Sequence, residues 1–179
     1  MKFKIKKILV LFKSKLIQVK KILFELNGKN NEQIYIKGPD SVHILIVDTN
    51  LNKFVLVKQP RLPLFIEHKK EFTIETCAGT VDKDKSIDQI AKEEVIEETG
   101  YSPDKFIKIG EAFSATKSSE KKHLYLCFSN KKISKGGGVD DENIDLVYMD
   151  LDIDPLKLDT DIVTLYLITW YQKNYLKRK

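Results

Sequence analysis

The 179-residue chain reads as an α/β protein, a single layered domain with a mixed sheet and two principal helices. Three observations lead there. Short runs rich in β-branched and aromatic residues recur between turn signals, from VHILIV at 42–47 to LVYMDL at 146–151. Two segments, 86–100 and 162–175, instead carry helical periodicity and helix caps. Apolar residues make up 42% of the chain, enough for a real core at this length.

The elements follow in order. Residues 16–26 alternate loosely and stop at Asn27-Gly28, a hairpin signal, with 33–37 returning. A near-continuous apolar strand at 42–47 turns through 48–52 into a second at 54–59. Residues 72–77 form a strand that runs straight into Ala78-Gly79 and the first helix. Two more strands are expected at 105–113 and 122–129. Lys135 and three glycines then break the chain before the acidic run Asp140-Asp141-Glu142, and 146–151 closes the sheet. After Pro155, Asp161 caps the last helix, whose Ile162, Leu165, Ile168 and Tyr171 recur at helical spacing.

The first helix carries the chemistry. Ser86 with Gln89 three residues on makes a capping box, and Gly100 stands where a left-handed C-terminal residue is wanted. Between them Glu93, Glu94, Glu97 and Glu98 fall within six residues. Like charges three and four apart repel, so something must offset them. A hard divalent cation, which prefers oxygen ligands, does so economically. At about 100° per residue Ile87, Ala91, Glu94 and Glu98 share one face with Glu97 at its border, so the charge is aimed beside the apolar stripe. The competing reading is a solvated acidic face balanced by Lys85 and Lys92.

Charge and composition narrow the remaining classes. The net charge is +5, but eight of the 31 basic residues lie in the first 21, which hold no acid. The rest carries 23 bases against 26 acids, a net of −3, which argues against a nucleic-acid partner. The basic arm is read as a strand with one lysine-lined solvated face in preference to a membrane anchor. No apolar run approaches the roughly 18 residues of a spanning helix, and the five apolar residues at 8–12 are too few for a secretory leader. Cys77 and Cys127 lie within expected strands and read as buried free thiols in a reducing, cytoplasmic setting. His43 and His123 alternate with apolar strand neighbours and read as packing residues, and His68 as a solvated loop residue. Arg61, one of two arginines, follows a strand and precedes a loop. It is either a bidentate phosphate grip or half of a salt bridge.

The segment from Gly79 to Tyr101 resembles the Nudix box, with Gly79, Glu94, Val95, Glu97, Glu98, Gly100 and Tyr101 in register. Two positions depart: Lys85 stands where the box has its first Glu, and Glu93 where it has Arg. Further matches, at Asn27-Gly28, Asp40-Ser41-Val42, VLVKQPR at 55–61, ETCAGTVD at 75–82 and GGGVDDE at 136–142, are similar to the UDP-sugar (UDP-glucose) pyrophosphatase branch. That branch is close to the ADP-ribose pyrophosphatases, and the likeness covers roughly 14–175 of the chain.

The resemblance implies a Nudix-type α/β/α sandwich. Residues 1–37 would form a basic arm and β-hairpin used in homodimerisation, and 38–179 the hydrolase domain. It implies Mg2+, with Mn2+ as a substitute, held by Glu94, Glu97, Glu98 and the Ala78 carbonyl. The expected reaction is hydrolysis of a nucleoside diphosphate sugar, UDP-glucose giving UMP and glucose 1-phosphate. Glu97 and the loop carboxylates Glu142 and Asp141 are the expected catalytic groups; Arg61, Glu75 and Gly79 would meet substrate. ADP-ribose or another nucleotide sugar is the alternative substrate, and a degenerate nucleotide-binding domain the alternative role, motivated by Lys85 and Glu93. Pro60, where an aromatic residue is usual, is expected to end strand pairing early.

Overall fold

The computed structural model describes residues 2–82, 84–138 and 143–176. It contains ten strands and three α-helices: β1 Phe3–Lys13, β2 Gln18–Leu26, β3 Lys29–Lys37, β4 Ser41–Asp48, β5 Lys53–Pro60, α1 Leu62–His68, β6 Phe72–Glu75, β7 Cys77–Thr80, α2 Ile87–Glu94, β8 Lys105–Phe113, β9 Lys121–Ser129, β10 Asp145–Asp150 and α3 Ile162–Tyr175. The mixed α/β fold expected from the sequence is the one observed.

Strands β1 to β3 form a separate antiparallel sheet. Asn27 and Gly28 take positive φ (51° and 77°), the pair of left-handed residues that a two-residue hairpin turn requires. This sheet meets the body where the Ser119 N–H donates to the Ile36 carbonyl at 3.1 Å. Many of its apolar side chains, among them Phe3, Ile8, Phe12 and Ile34, remain exposed, while those of β2 are half-buried.

The main sheet runs β10-β5-β4-β9-β8, with β4 and β9 parallel and the other neighbours antiparallel. Strands β4 and β5 pair only over Ile46–Asp48 with Lys53–Val55 and then splay apart. The sequence suggests one strand over 72–77. Instead, the chain inserts into the splay as two: β6 pairs with β5, then β7 pairs with β4. The change of partner falls at Thr76, whose N–H donates to Thr164 Oγ1 of α3 at 2.8 Å. Pairing along β5 does not end early, because Pro60 still sits opposite Phe72. As the last residue of its strand, it has little ladder left to interrupt.

Side-chain alternation builds a core on each face. Val42, Ile44 and Ile46 of β4 pack with Ile90, Ala91 and Val95 beneath α2, while Leu45 and Val47 pack with Leu167, Ile168 and Tyr171 beneath α3. The buried stripe of α3 is Thr164, Leu167, Ile168 and Tyr171. Ile162 is exposed, since the helix turns Thr164 toward Thr76. The expected loop after Arg61 is helix α1, with Pro63 in its first turn and His68 its last residue. Both cysteines are buried and free.

Candidate active site

Helix α2 begins as its sequence dictates. Ser86 Oγ accepts the Gln89 N–H at 3.3 Å and Gln89 Oε1 accepts the Ser86 N–H at 3.1 Å, a complete capping box. After Glu94 the helix widens into one π turn, Val95–Thr99, and Gly100 ends it at φ 74°. Such turns are uncommon and concentrate at functional sites. Here it carries Glu97 and Glu98. Fewer degrees per residue shift the later glutamates relative to a regular wheel, and Glu98 becomes buried while Glu94 and Glu97 stay half-buried.

Strand β7 lies beside this helix. Glu98 Oε2 accepts the Ala78 N–H at 3.1 Å. In an antiparallel ladder a residue's N–H and C=O open to the same edge, so the Ala78 carbonyl also faces away from β4, toward the glutamates. Gly79 is needed for close approach: a Cβ there would stand 2.1 Å from the Glu94 carboxyl carbon. The glycine run packs against the end of the helix. Gly137 and Gly138 donate to the carbonyls of Glu98 and Glu97 at 2.7 and 3.1 Å, and Gly136, Gly137 and Gly138 all have positive φ. The expected catalytic residues Asp141 and Glu142 lie outside the described residues.

A cavity of about 530 Å³ gathers most of the expected residues: Arg61, Ala78, Gly79, Glu94, Glu97 and Glu98 all line it. Glu75 does not. It lies 7% exposed behind Arg61, accepting from Arg61 Nε at 2.8 Å and from Nη2, and from the Thr73 hydroxyl. The two readings of Arg61 are therefore compatible: two of its five N–H donors hold Glu75, and its head still lines the cavity. Burial alone would raise the Glu75 carboxyl, but hydrogen bonds from Arg61 and Thr73 hold it below its ordinary value. The same contact raises Arg61, which stays charged. Burial pushes the Cys77 thiol well up, so it is no nucleophile.

The two box departures answer each other. Lys85 Nζ donates to both Glu93 oxygens, at 2.6 and 2.8 Å. A lysine at the first-glutamate position faces a glutamate at the arginine position, with the polarity reversed.

Sequence reasoning missed three further lining residues, Ser41, His43 and Glu120. His43 opens to the cavity near the start of β4 and so is not simply a packing residue. Burial, then the Lys122 charge, lowers its pKa to about 4, so the ring is neutral. Glu120 comes from the β8–β9 connection. Burial opposes its ionisation, but donors on Lys122, Ser41 and Ser114 hold its pKa down. No local pattern flags these residues, because their grouping depends on the parallel pairing of β4 with β9, which sets Ser41 opposite Lys122.

Among the described residues no three His, Cys, Asp or Glu side chains are drawn close enough to enclose a metal ion. The donor set on the glutamate wall nonetheless consists of oxygen alone, which suits a hard cation.

Comparison with known proteins places this architecture. The family model described as the NUDIX domain matches residues 37–163. The chain belongs to the Nudix family and is a hydrolase of that class. It is 30% identical over 139 residues to a GDP-mannose pyrophosphatase of Salmonella typhimurium, covering 72% of each chain. A GDP-mannose pyrophosphatase of Pectobacterium atrosepticum is 28% identical over 137 residues, covering 71% of this chain and 70% of that one. A crystal structure of an ADP compounds hydrolase shares the fold at a TM-score of 0.78 with 16% identity, covering 99% of this chain and 98% of that one. Among the described residues no helix is long and apolar enough to cross a membrane.

Proposed function

We propose that the protein hydrolyses the diphosphate of a nucleoside diphosphate sugar, releasing a nucleoside monophosphate and a sugar 1-phosphate, with Mg2+ held by Glu94, Glu97, Glu98 and the Ala78 carbonyl. The observation that carries this reading is one cavity joining an oxygen-only acidic wall to a braced arginine. Rotation of Glu94 and Glu97 would gather the ligands. The cation, when bound, would neutralise diphosphate oxygens that otherwise repel the glutamates. Arg61 would grip a phosphate with its remaining donors. Water attacks one phosphorus, the bridging phosphorus–oxygen bond breaks, and the water's proton passes to a carboxylate. That role we assign to Glu142, with Asp141 as the second candidate and Glu97 as the third.

UDP-glucose is the substrate the sequence resemblance favours, and GDP-mannose the one in the relatives' names. The reversed Lys85–Glu93 pair supports an active enzyme over a degenerate binding domain. The exposed apolar side chains of β1 to β3 support a homodimer formed through residues 1–37, because a three-stranded sheet with bare faces gains stability from a cover.

The test is a panel of UDP-glucose, GDP-mannose and ADP-ribose, assayed with and without Mg2+ or Mn2+. Metal-dependent release of a nucleoside monophosphate is expected, with turnover lost in Glu97→Gln. Release from none of the panel would overturn the reading.

A further inference from the structure

The glutamate cavity offers little to a nucleobase. Among the described residues its lining contains no Phe, Tyr, Trp, Leu, Ile, Val or Met, and the His43 ring is itself buried. A second cavity, of about 580 Å³, has the opposite character. Ile109, Leu124, Ile162 and Val163 line it together with Phe113 and Tyr166.

The two cavities are contiguous across the ends of the strands. Within β4, Val42 and Ile44 turn to the core beneath α2, so Ser41 and His43 turn to the α3 side. The first cavity therefore crosses from the glutamates to the α3 face of the sheet. Directly opposite Ser41 and His43 on β9 stand Lys122 and Leu124, and both line the second cavity. Beyond them Ala112 and Gly110 of β8 continue its floor. Glu120 is the divider. It lines the first cavity and accepts from Ser41 Oγ at 2.6 Å, and it also accepts from two residues of the second, Lys122 Nζ at 2.7 Å and Ser114 Oγ at 2.8 Å. From β7, which carries the Ala78 carbonyl, to β8 is three strand spacings, about 14 Å, a span that an extended nucleoside diphosphate covers.

The lining of the second cavity selects a flat, uncharged group. Lys122 is paired with Glu120, and Glu111 with Lys108 and Lys121, so neither charge is left to draw a phosphate. The floor is open at Gly110, where a Cβ would meet nothing within 4 Å. Its φ lies outside the left-handed region, so the backbone does not require glycine there and what its absence of side chain supplies is room. Tyr166 stands 47% exposed on α3, with its ring open to a ligand. We propose that this cavity is the nucleobase subsite: the base lies over Gly110 against the Tyr166 ring, the ribose passes Glu120, and the diphosphate reaches the glutamates. This rests on the nucleotide-sugar reading above and deepens it.

The test compares Tyr166→Ala, Tyr166→Phe and Gly110→Leu with the parent protein. The substrates are a nucleoside diphosphate sugar from the panel and the matching sugar diphosphate methyl ester, which keeps sugar and diphosphate and lacks the nucleoside. Tyr166→Ala is expected to raise KM for the nucleotide sugar about tenfold, within the range for stacking one base on an aromatic ring, with kcat changed less than about twofold. Its loss on the methyl ester is expected to be at least about fivefold smaller. Tyr166→Phe keeps the ring and recovers most of the KM, whereas Gly110→Leu fills the floor and raises KM as Tyr166→Ala does. Equal losses on both substrates, which would seat the sugar there, or no loss on either, would overturn the proposal. The thermal shift given by the matching nucleoside monophosphate with Mg2+ is a second readout free of turnover. It is expected to shrink in Tyr166→Ala; an undiminished shift, or none in the parent, sinks the subsite. If the parent hydrolyses neither substrate, the functional reading falls, and the monophosphate shift still decides the subsite.

Discussion

Replacing Gly79 with alanine tests how the glutamate wall is assembled. No backbone strain is involved, because Gly79 is not in the left-handed region and alanine can adopt its conformation. The obstacle is contact: the new methyl would lie 2.1 Å from the Glu94 carboxyl carbon, 2.4 Å from its Cγ and 2.5 Å from Oε1. Ordinary contact begins near 3.4 Å, so the carboxylate must retreat by about 1.3 Å, the difference between those two distances. Mg2+ demands oxygens at about 2.0–2.1 Å in near-octahedral array, so a retreat of that size removes Glu94 from the ligand set.

We therefore expect kcat/KM to fall about 10²-fold and the Mg2+ concentration for half-maximal activity to rise at least tenfold. The melting temperature should move by only a few degrees, since what moves is the far end of a flexible side chain. The assay is a Mg2+ titration of turnover alongside a thermal melt. The double variant Gly79→Ala/Glu94→Gln should be no worse than Glu94→Gln alone if glycine acts only through that carboxylate. An unchanged Mg2+ requirement in Gly79→Ala, or fully additive losses in the pair, would refute the reasoning.

Arg61→Ala should raise KM for every diphosphate substrate and lower stability by about 1–2 kcal/mol at neutral pH, by leaving Glu75 partly unpaired, with the exposed side of the arginine keeping the figure low. Because the folded Glu75 pKa lies below its ordinary 4.5, this stabilisation is complete above that pH and is lost as pH falls through the folded value. The difference between variant and parent melting temperatures should therefore shrink only in acid. Lys85→Glu and Glu93→Lys should each lower activity severalfold, and the double reversal should recover it, measured as kcat/KM at low salt. Gly136→Ala forces a φ of 69° on a side chain whose Cβ meets the Thr99 carbonyl carbon at 2.5 Å, so a loss of about 2–3 kcal/mol is expected in denaturant melts.

The elements that the sequence made legible are those whose cause is local. The capping box at Ser86, the turn at Asn27-Gly28, the stop at Gly100 and the apolar strands each follow from residues a few positions apart. What stayed hidden depends on distant partners. Residues 72–77 carry one strand pattern, yet the chain changes partner at Thr76 because Thr164, 88 residues later, takes its N–H. Helix α1 was hidden because Leu62, Phe65 and Ile66 stay exposed, so no buried stripe announces it. At the site, glutamate spacing found the metal wall because a helix brings residues three and four apart together. The same cavity joins Ser41 to Glu120, 79 positions away, and no periodicity reports that.

The box residues divide by what they touch. Glu94, Glu97, Glu98, Ala78 and Gly79 meet the cavity itself, and two contacts there admit little else: the close approach of Gly79 to Glu94, and the Ala78 edge N–H on the buried Glu98 carboxylate. Lys85 and Glu93 bind each other near the helix surface, with side chains 46% and 34% exposed. An ion pair in that setting contributes about 1 kcal/mol or less, and Coulomb attraction does not depend on which partner carries which sign. A reversed pair can hold the start of α2 as well as the usual one, provided both ends change together. The difference is in geometry, since lysine concentrates its charge at one point where arginine offers a planar fork. That limits the brace without touching the ligands. In this chain the positions free to depart are therefore those that act through charge alone, and those retained act through the placement of an oxygen.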